Sequence, residues 1–344
     1  MASFREYALP TLASLWLASP AQAQTTLTMS TWAPRAHPLT SVVLQGFADE
    51  VEKASGGRLK FQMLPKHPVA GPGTFDAVRD GLVDISIAAT SWSPGRHILP
   101  LIAEFPGSGE TAEINSVAYS RVHWKHLQEA DEYKGVHLIG VFTHGPGHVF
   151  STKRPIKRLA DLEGMKMRTG GGSSLAMVRA LGASALVTTV PQESYELLRS
   201  GIADGTFFPQ DSFVSFKLDG VVNYATLFPG GLFNYSFGFF MNEAKWNRLP
   251  RQDQELITKF AGEYLARRAG KAWDAADRLG NEGMKKAGLQ IDTASPALVG
   301  EMQAKAQPMI AAWIKDVRDK RNMDGAMLLK DFREELKHAA ENRE

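Results

Sequence analysis

The sequence predicts an α/β protein of two lobes with a ligand cleft between them. One observation is a β-α-β opening, in which two alternating segments flank a segment with helical spacing. Another is a weak internal repeat of a helix, a glycine and a short strand, at an offset of 120 residues. From about residue 250 the chain is charged and helical in spacing, and we expect these helices to pack on the lobes and link them.

The opening begins with Thr26–Trp32, where apolar and polar residues alternate as in a strand. Ser41–Ala54 then carries apolar residues at helical spacing, and Gly56-Gly57 ends this helix. Arg58–Leu64 alternates again. Because a helix between two strands usually crosses over to a parallel neighbour, this order predicts a parallel sheet.

The repeat matches Asp76–Ser91 with Glu196–Asp211. Three residue types recur at equivalent positions, namely Arg79, Gly81 and Asp84 in the first copy and Arg199, Gly201 and Asp204 in the second. Each copy indicates a helix end, a glycine that stops the helix, an apolar pair, an aspartate and a strand. Two lobes of similar architecture would explain the recurrence, although such joints are also common in unrelated α/β proteins.

Ligands of open α/β sheets bind beyond the carboxyl ends of the strands. In the first lobe this rule selects Thr90, Ser91 and Trp92, and Trp32 ends the opening strand. In the second lobe it selects Phe208, Pro209 and Gln210.

The first 23 residues are predicted to be a cleavable signal peptide, which would place the mature protein in the periplasm. Ala8–Ala21 is small and apolar, and Ala21-Gln22-Ala23 fits a cleavage site. The stretch is too short to span a bilayer. We assign residues 24–145 and 234–273 to lobe I, and residues 146–233 and 274–344, with the C-terminal helices, to lobe II.

Composition argues against several functions. The 39 basic and 37 acidic residues give a net charge of +2, which disfavours a nucleic-acid partner. Without cysteine there is no disulfide, no thiol nucleophile and no cysteine-ligated zinc. The sequence also lacks H-E-x-x-H, G-x-S-x-G, EF-hand and nucleotide-binding glycine motifs. We therefore expect no catalytic residues, metal or cofactor. We also expect a monomer.

Arg168 is the strongest candidate for a ligand-binding residue. It lies in the predicted strand Met165–Thr169, followed by three glycines and by Ser173 and Ser174, which suit a helix N-cap. A cation at a strand end beside a helix N-terminus favours an anion, and a guanidinium can hold a carboxylate by two hydrogen bonds. The alternative is a strand residue whose guanidinium is solvated.

His144 and His148 flank Gly145-Pro146-Gly147, where a strand is predicted to end. Their position indicates residues that line a pocket, with ordinary loop histidines as the alternative.

These segments resemble the solute-binding proteins of tripartite ATP-independent periplasmic (TRAP) transporters, the dicarboxylate-binding type. The resemblance runs from Thr26 to about Leu289 and is strongest over Ser151–Gln210, which contains D-L-E-G-M-K-M-R-T and P-Q-E-S-Y-E-L-L-R-S-G-I-A-D-G. It implies a periplasmic binding-protein fold with crossing strands, a long helix that spans both lobes, hinge closure and delivery of the ligand to membrane subunits. It also implies that the arginine that clamps the ligand is Arg168.

Two departures from the family pattern narrow the class of ligand that this protein is expected to bind. Many family members have a polar asparagine where this chain has Phe208, and some have a second arginine near Gly147, for which His144 or His148 could substitute. With Trp32 and Trp92 near strand ends, we expect an organic monocarboxylate with a bulky or aromatic body, unless these aromatics are core residues. The predicted ligand-binding residues are Arg168, Trp32, Ser91, Trp92, His144, His148, Phe208 and Gln210. A periplasmic enzyme acting on an organic acid, an ABC-type receptor and a signalling receptor remain alternatives.

Overall fold

The computed structural model describes residues 24–342, so the predicted signal peptide lies outside the described residues. Its strands are β1 Thr25–Met29, β2 Leu59–Met63, β3 Ile85–Ala89, β4 Val136–Thr143, β5 His148–Ser151, β6 Lys166–Thr169, β7 Ser184–Val187, β8 Gly205–Phe208, β9 Tyr224–Leu227, β10 Ser236–Asn242 and β11 Gln290–Thr293. Its α-helices are α1 Gln45–Ala54, α2 Thr74–Arg79, α3 Ala112–Val122, α4 Gly172–Ala180, α5 Ser194–Arg199, α6 Ser212–Ser215, α7 Glu243–Arg248, α8 Arg251–Lys259, α9 Gly262–Lys286, α10 Pro296–Arg321 and α11 Gly325–Glu341. Within residues 24–342, no helix is both long and apolar enough to cross a bilayer.

The strands form two sheets, which confirms the predicted two-lobed α/β architecture. The first sheet has the order β2-β1-β3-β10-β4, and the second β11-β9-β5-β8-β6-β7. β1 pairs in parallel with β2 and β3, as the β-α-β opening predicts, whereas β10 is antiparallel to β3 and β4. In the second sheet β6 pairs in parallel with β7 and β8, and β5 is antiparallel to β8 and β9.

Two short crossing segments connect the sheets, residues 144–147 after β4 and residues 228–235 before β10, and the chain crosses a third time through α7, α8 and α9 before β11. The two crossing segments are hydrogen-bonded to each other, because Gly147 N donates to Phe233 O at 2.9 Å and Leu232 N donates to Gly147 O at 2.9 Å. The predicted lobe boundaries at 145/146 and 233/234 fall within these segments and stay predictions.

The internal repeat corresponds to equivalent structure in both sheets. Gly81 and Gly201 have φ values of 78° and 72°, which end α2 and α5 in the same way. The Asp84 carboxylate accepts a hydrogen bond of 2.8 Å from a backbone N–H of β1, and Asp204 accepts one of 3.0 Å at the start of β6. Each aspartate therefore attaches its own strand to the neighbouring parallel strand, which explains the recurrence in the sequence.

The C-terminal helices belong to both lobes, which corrects their assignment to lobe II. α10 contributes Leu298, Met302 and Ala306 to the core of the second sheet and Ile310, Trp313 and Val317 to the core of the first. α11 packs against α3 on the first sheet. One helix of 26 residues is long enough to pack on both cores, so sequence position alone did not determine its lobe.

The long helix α9 binds the backbone of both lobes through two aspartates one turn apart. Asp274 accepts a hydrogen bond of 2.7 Å from Ala112 N, at the start of α3 beside the first sheet. Asp277 accepts one of 2.8 Å from Asp211 N, in the loop after β8 of the second sheet. This helix therefore spans both lobes, as the resemblance implies.

Glycines allow α9 to approach this closely. A Cβ atom at Gly280 would lie 2.1 Å from the carbonyl oxygen of Gln210, and one at Gly270 would lie 2.3 Å from Glu113 Cα. Backbone atoms cannot yield as a flexible side chain would, so the helix requires glycine at both contacts.

Gly280→Ala is expected to lower the free energy of unfolding by about 1–3 kcal/mol, because the added methyl group pushes α9 away from the second lobe. Gly300→Ala is the matched control. It lies inside α10 with open space at the Cβ position, so alanine should raise the same free energy by up to about 1 kcal/mol. Urea unfolding of the two variants measures both values, and equal effects would contradict the contact.

Candidate functional site

A cavity lies between the two lobes, at the carboxyl ends of β6 and β8. Eight of its lining residues are aromatic, namely Trp32, Trp92, Phe208, Phe216, Phe233, Tyr235, Phe237 and Trp273. Six further lining side chains carry polar or charged groups, namely Arg168, His37, His144, Thr189, Asp211 and Ser212. Both lobes, the second crossing segment and α9 contribute, so the cavity is complete only when these parts are together.

Arg168 is a buried cation without an acidic partner. Its side chain is 1% exposed, and within residues 24–342 no carboxylate forms an ion pair with it. Nη2 donates to Thr188 O at 2.8 Å, whereas the Nε N–H has no hydrogen-bond partner among these residues. Burial lowers the pKa of Arg168 to about 10, so the guanidinium remains charged at neutral pH. The alternative of a solvated strand residue is therefore wrong.

The neighbouring strand fixes the guanidinium against an aromatic face. The Arg168 Cζ atom lies 4.5 Å from the centre of the Phe208 ring, a cation–π contact. The rule that ligands bind beyond strand ends predicted Phe208 as a ligand-binding residue. Its ring stands where many family members have a polar asparagine. The result is a cation held by a carbonyl and a ring, with its remaining hydrogen-bond donors available to an anion.

The glycine segment after β6 brings the two lobes into contact. Gly171 and Gly172 have φ values of 94° and 55°, and a Cβ atom at Gly172 would lie 2.5 Å from Ser91 Cβ. The predicted N-cap at Ser173 or Ser174 is wrong, because α4 begins at Gly172 and Gly171 is its N-cap. Instead, Ser174 Oγ donates to Gly171 O at 2.9 Å, and Ser173 Oγ donates to a carbonyl of the second crossing segment at 3.1 Å.

Trp32 and Trp92 form the wall that the first lobe contributes. Their ring centroids are 5.1 Å apart in an edge-to-face arrangement. Both residues line the cavity, in the position that the strand ends predict.

His144 lines the cavity but has no free ring nitrogen. Its Nε2 atom accepts a hydrogen bond of 2.9 Å from Tyr235 N, so Nδ1 carries the proton and donates to Gly145 O. Burial lowers the pKa of His144 to about 4, so the ring is neutral at neutral pH. It therefore cannot replace a second arginine as a cation.

Three predicted ligand-binding residues do not line this cavity. His148 is buried in β5, where Nδ1 accepts a hydrogen bond of 3.1 Å from Phe228 N. Gln210 Oε1 instead accepts a bond of 2.8 Å from Asn281 Nδ2 on α9. Ser91 faces a separate groove beside α10. In a tight turn after a strand, successive side chains point in different directions, so neighbours of a cavity residue need not share its environment.

The sequence did not single out His37, Asp211 or Trp273. Asp211 is 1% exposed, and it accepts hydrogen bonds from Ser215 Oγ at 3.1 Å and Trp273 Nε1 at 3.3 Å. Burial raises the pKa of Asp211 to about 6 and lowers that of His37 to about 4. The available signals were that Asp211 closes the second copy of the repeat and that helical spacing predicts a buried Trp273.

No group of three or more histidine, aspartate or glutamate side chains that could hold a metal ion occurs in the described part of the chain. The chemistry that these residues support is reversible binding of an anion with an apolar body.

Comparison with known proteins identifies the family. The profile of the family described as "Bacterial extracellular solute-binding protein, family 7" matches residues 29–316. The chain belongs to this family. The resemblance to TRAP solute-binding proteins is confirmed by this match and by the solved structures below. Family 7 consists of binding proteins that act outside the cytoplasm.

Three relatives of this family-7 protein are informative. The outer membrane transporter protein TsaT of Comamonas testosteroni is 30% identical over 96% of each chain. A TRAP periplasmic solute-binding protein from Bordetella bronchiseptica, solved with bound (R)- and (S)-mandelate, is 39% identical with a TM-score of 0.87, over 91% of this chain and 99% of that one. A marine metagenome TRAP protein specific for aromatic acid ligands, solved with 3-hydroxybenzoate, is 30% identical with a TM-score of 0.85, over 92% and 99%.

This family-7 chain also has no room for the second arginine near Gly147. A Cβ atom at this position would lie 2.2 Å from Cε1 of Phe233, whose ring fills the space. The ring makes edge-to-face contacts with His144 and Tyr235, with centroids 5.5 and 5.4 Å apart. The departure at residue 147 therefore exchanges a charged side chain for an aromatic wall.

Proposed function

We propose that this protein captures an aromatic monocarboxylate and delivers it to TRAP membrane subunits, without chemical change to the ligand. The observation that carries the proposal is the buried Arg168 guanidinium, which lacks an acidic partner in a cavity with aromatic walls. A buried charge with an unsatisfied donor is unfavourable, so a ligand carboxylate that reaches the guanidinium supplies an acceptor for the Nε N–H, which has none among residues 24–342.

The aromatic walls account for the rest of the ligand. A ring placed among them is removed from water, which contributes about 25 cal/mol for each Å² of apolar surface buried. A second carboxylate or a hydroxyl-rich sugar acid would instead find few partners, because the space near residue 147 holds the Phe233 ring. The mandelate and 3-hydroxybenzoate bound by the two related proteins support this class of ligand.

The ligand would also favour the closed arrangement of the lobes. Trp32 and Trp92 come from the first lobe, whereas Arg168 and Phe208 come from the second. A ligand contacts all four only when the lobes are together, and this difference in contacts shifts the population towards closure. We further propose that residues 1–23 direct secretion to the periplasm and are removed.

The test is a binding screen with benzoate, mandelate and 3-hydroxybenzoate, using succinate and glucuronate as controls. A ligand at 100 times its Kd should stabilise the protein by about 2.7 kcal/mol in thermal unfolding. We expect the aromatic acids to bind one per chain and to be recovered unchanged. Binding of succinate or glucuronate in preference, or turnover of an aromatic acid, would refute the proposal.

A further inference from the structure

A second groove lies beside the cavity, and among residues 24–342 the two share one lining residue, Phe216. The groove is formed by Pro34 of the first lobe and by residues of the second lobe that include Tyr195, Glu196, Lys217 and Asp219. Phe216 itself is only 6% exposed, whereas Glu196, Lys217 and Asp219 are exposed, so the groove opens to solvent. The Phe216 ring is therefore the wall between the cavity and the open groove.

The turn that ends α6 fixes the position of Phe216. Lys217 N donates to Val214 O at 3.2 Å and Leu218 N donates to Phe213 O at 2.9 Å, which are the two hydrogen bonds of a Schellman motif. Lys217 takes the left-handed position of this motif, with a φ of 56°. Phe213 and Leu218 are buried in the same core cluster, which supplies the apolar contact that usually accompanies the motif. Phe216 therefore follows from a closed, packed turn and not from a free loop.

Aromatic rings of both lobes flank the Phe216 ring. Its centroid lies 5.3 Å from that of Phe208 in the second lobe and 5.8 Å from that of His37 in the first. The Phe208 centroid is in turn 4.5 Å from the Arg168 Cζ atom. The Phe216 ring is thus no farther from the guanidinium than these two steps placed end to end, so it is close to any ligand whose carboxylate Arg168 holds.

The other aromatic walls at this end of the cavity have no open space behind them. Phe233, Phe237 and Trp273 are at most 2% exposed and belong to the buried cores of the two lobes. A ligand that displaced one of these rings would have to enter a packed core, which resists added volume. Phe216 differs from them because an open groove adjoins it.

We propose that Phe216 sets the length of the ligand, so that the protein selects aromatic acids with one ring and excludes acids in which a second ring extends the first. This inference rests on the proposed function and narrows its ligand class. A group that extends the ligand towards Phe216 meets a ring that cannot move without loss of its packing. With a smaller side chain at residue 216, the cavity would join the groove, where Pro34 and Tyr195 offer apolar surface to a second ring.

Calorimetric titration of the wild-type protein with benzoate, 3-phenylbenzoate and 4-phenylbenzoate tests the exclusion. The second ring adds apolar surface, which by itself would favour binding. We nevertheless expect both phenylbenzoates to bind at least about tenfold more weakly than benzoate, because the added ring overlaps the protein. The two positions of substitution cover the two directions in which the ligand can be extended.

Variants assign the exclusion to Phe216. Phe216→Ala should raise the affinity for at least one phenylbenzoate, relative to that for benzoate, by about tenfold or more. Phe216→Leu removes less of the side chain and should give a smaller gain in the same direction, and it maintains the comparison if the alanine variant does not fold. The matched control is Phe213→Leu, three residues earlier in the chain. Phe213 is buried in the same core but lines neither the cavity nor the groove, so this variant should keep the wild-type ratio of affinities.

The outcomes separate this inference from the proposed function. A phenylbenzoate that binds the wild type as tightly as benzoate overturns the inference alone, as does a ratio that survives in both Phe216 variants or is relieved equally by Phe213→Leu. Failure of benzoate and both phenylbenzoates to bind the wild type overturns both proposals. Exclusion that is relieved at residue 216 and persists in the Phe213 variant supports both.

Discussion

Replacement of Arg168 by alanine is expected to weaken the binding of aromatic acids by about 3–5 kcal/mol, the loss that follows when one partner of a buried ion pair is removed. This corresponds to an increase of more than about a hundredfold in Kd. The carboxylate would enter a cavity whose other polar groups are neutral or acidic, so no second cation can take over. Isothermal calorimetry with benzoate, after removal of copurified ligand by unfolding and refolding, measures the change.

Arg168→Lys separates charge from geometry. An ammonium group keeps the positive charge but lacks the planar pair of donors, so we expect it to restore little of the affinity. Ligand-free stability provides the control for a structural role, because burial disfavours the charged guanidinium. The variant also loses the hydrogen bond to Thr188 O and the contact with Phe208, so the melting temperature of ligand-free Arg168→Ala should fall, but by far less than the lost affinity would imply. A fall that matches the lost affinity, or full rescue by lysine, would contradict the binding role.

The second large effect is expected for Gly147→Ala, which should lower the free energy of unfolding by about 1–3 kcal/mol and also weaken the binding of aromatic acids. The added Cβ atom would lie 2.2 Å from Phe233 Cε1, so the ring must move. Phe233 lines the cavity and contacts Tyr235, so its displacement narrows the space for the ligand. Urea unfolding and benzoate titration measure the two effects.

A double-mutant cycle identifies the contact. Phe233→Leu creates space near residue 147, so adding Gly147→Ala to it should have a much smaller effect on stability than adding it to the wild type. If the two effects are equal, the Phe233 ring is not what occupies this space.

Local sequence patterns located cavity residues correctly at those positions where they correctly located the end of a strand. Alternation and glycine stops located the ends of β6 and β8, and Arg168 and Phe208 line the cavity there. The same reasoning failed for Gln210 and His148. The direction of a side chain near a strand end depends on the turn and on the elements packed around it, and His148 instead bonds to the backbone of the second crossing segment.

Residues brought in by tertiary packing could not be predicted. Trp273 lies on α9, where helical spacing indicates a buried residue but not which lobe it faces. His37 lies in a loop between two prolines, and it reaches the cavity only because the first lobe folds over the second. The lobe of α10 was likewise undetermined, because its buried residues form one stripe along the whole helix and either core could receive them.

The two aspartates of α9 limit how the lobes can move. Asp274 is attached to the first lobe and Asp277 to the second, and three residues of helix rise only about 4.5 Å. Any rotation of one sheet relative to the other must therefore change the curvature of α9 within that single turn, or break one of the two attachments. Occupancy of the cavity is in this way connected to the shape of a helix whose two ends lie on opposite halves of the molecule.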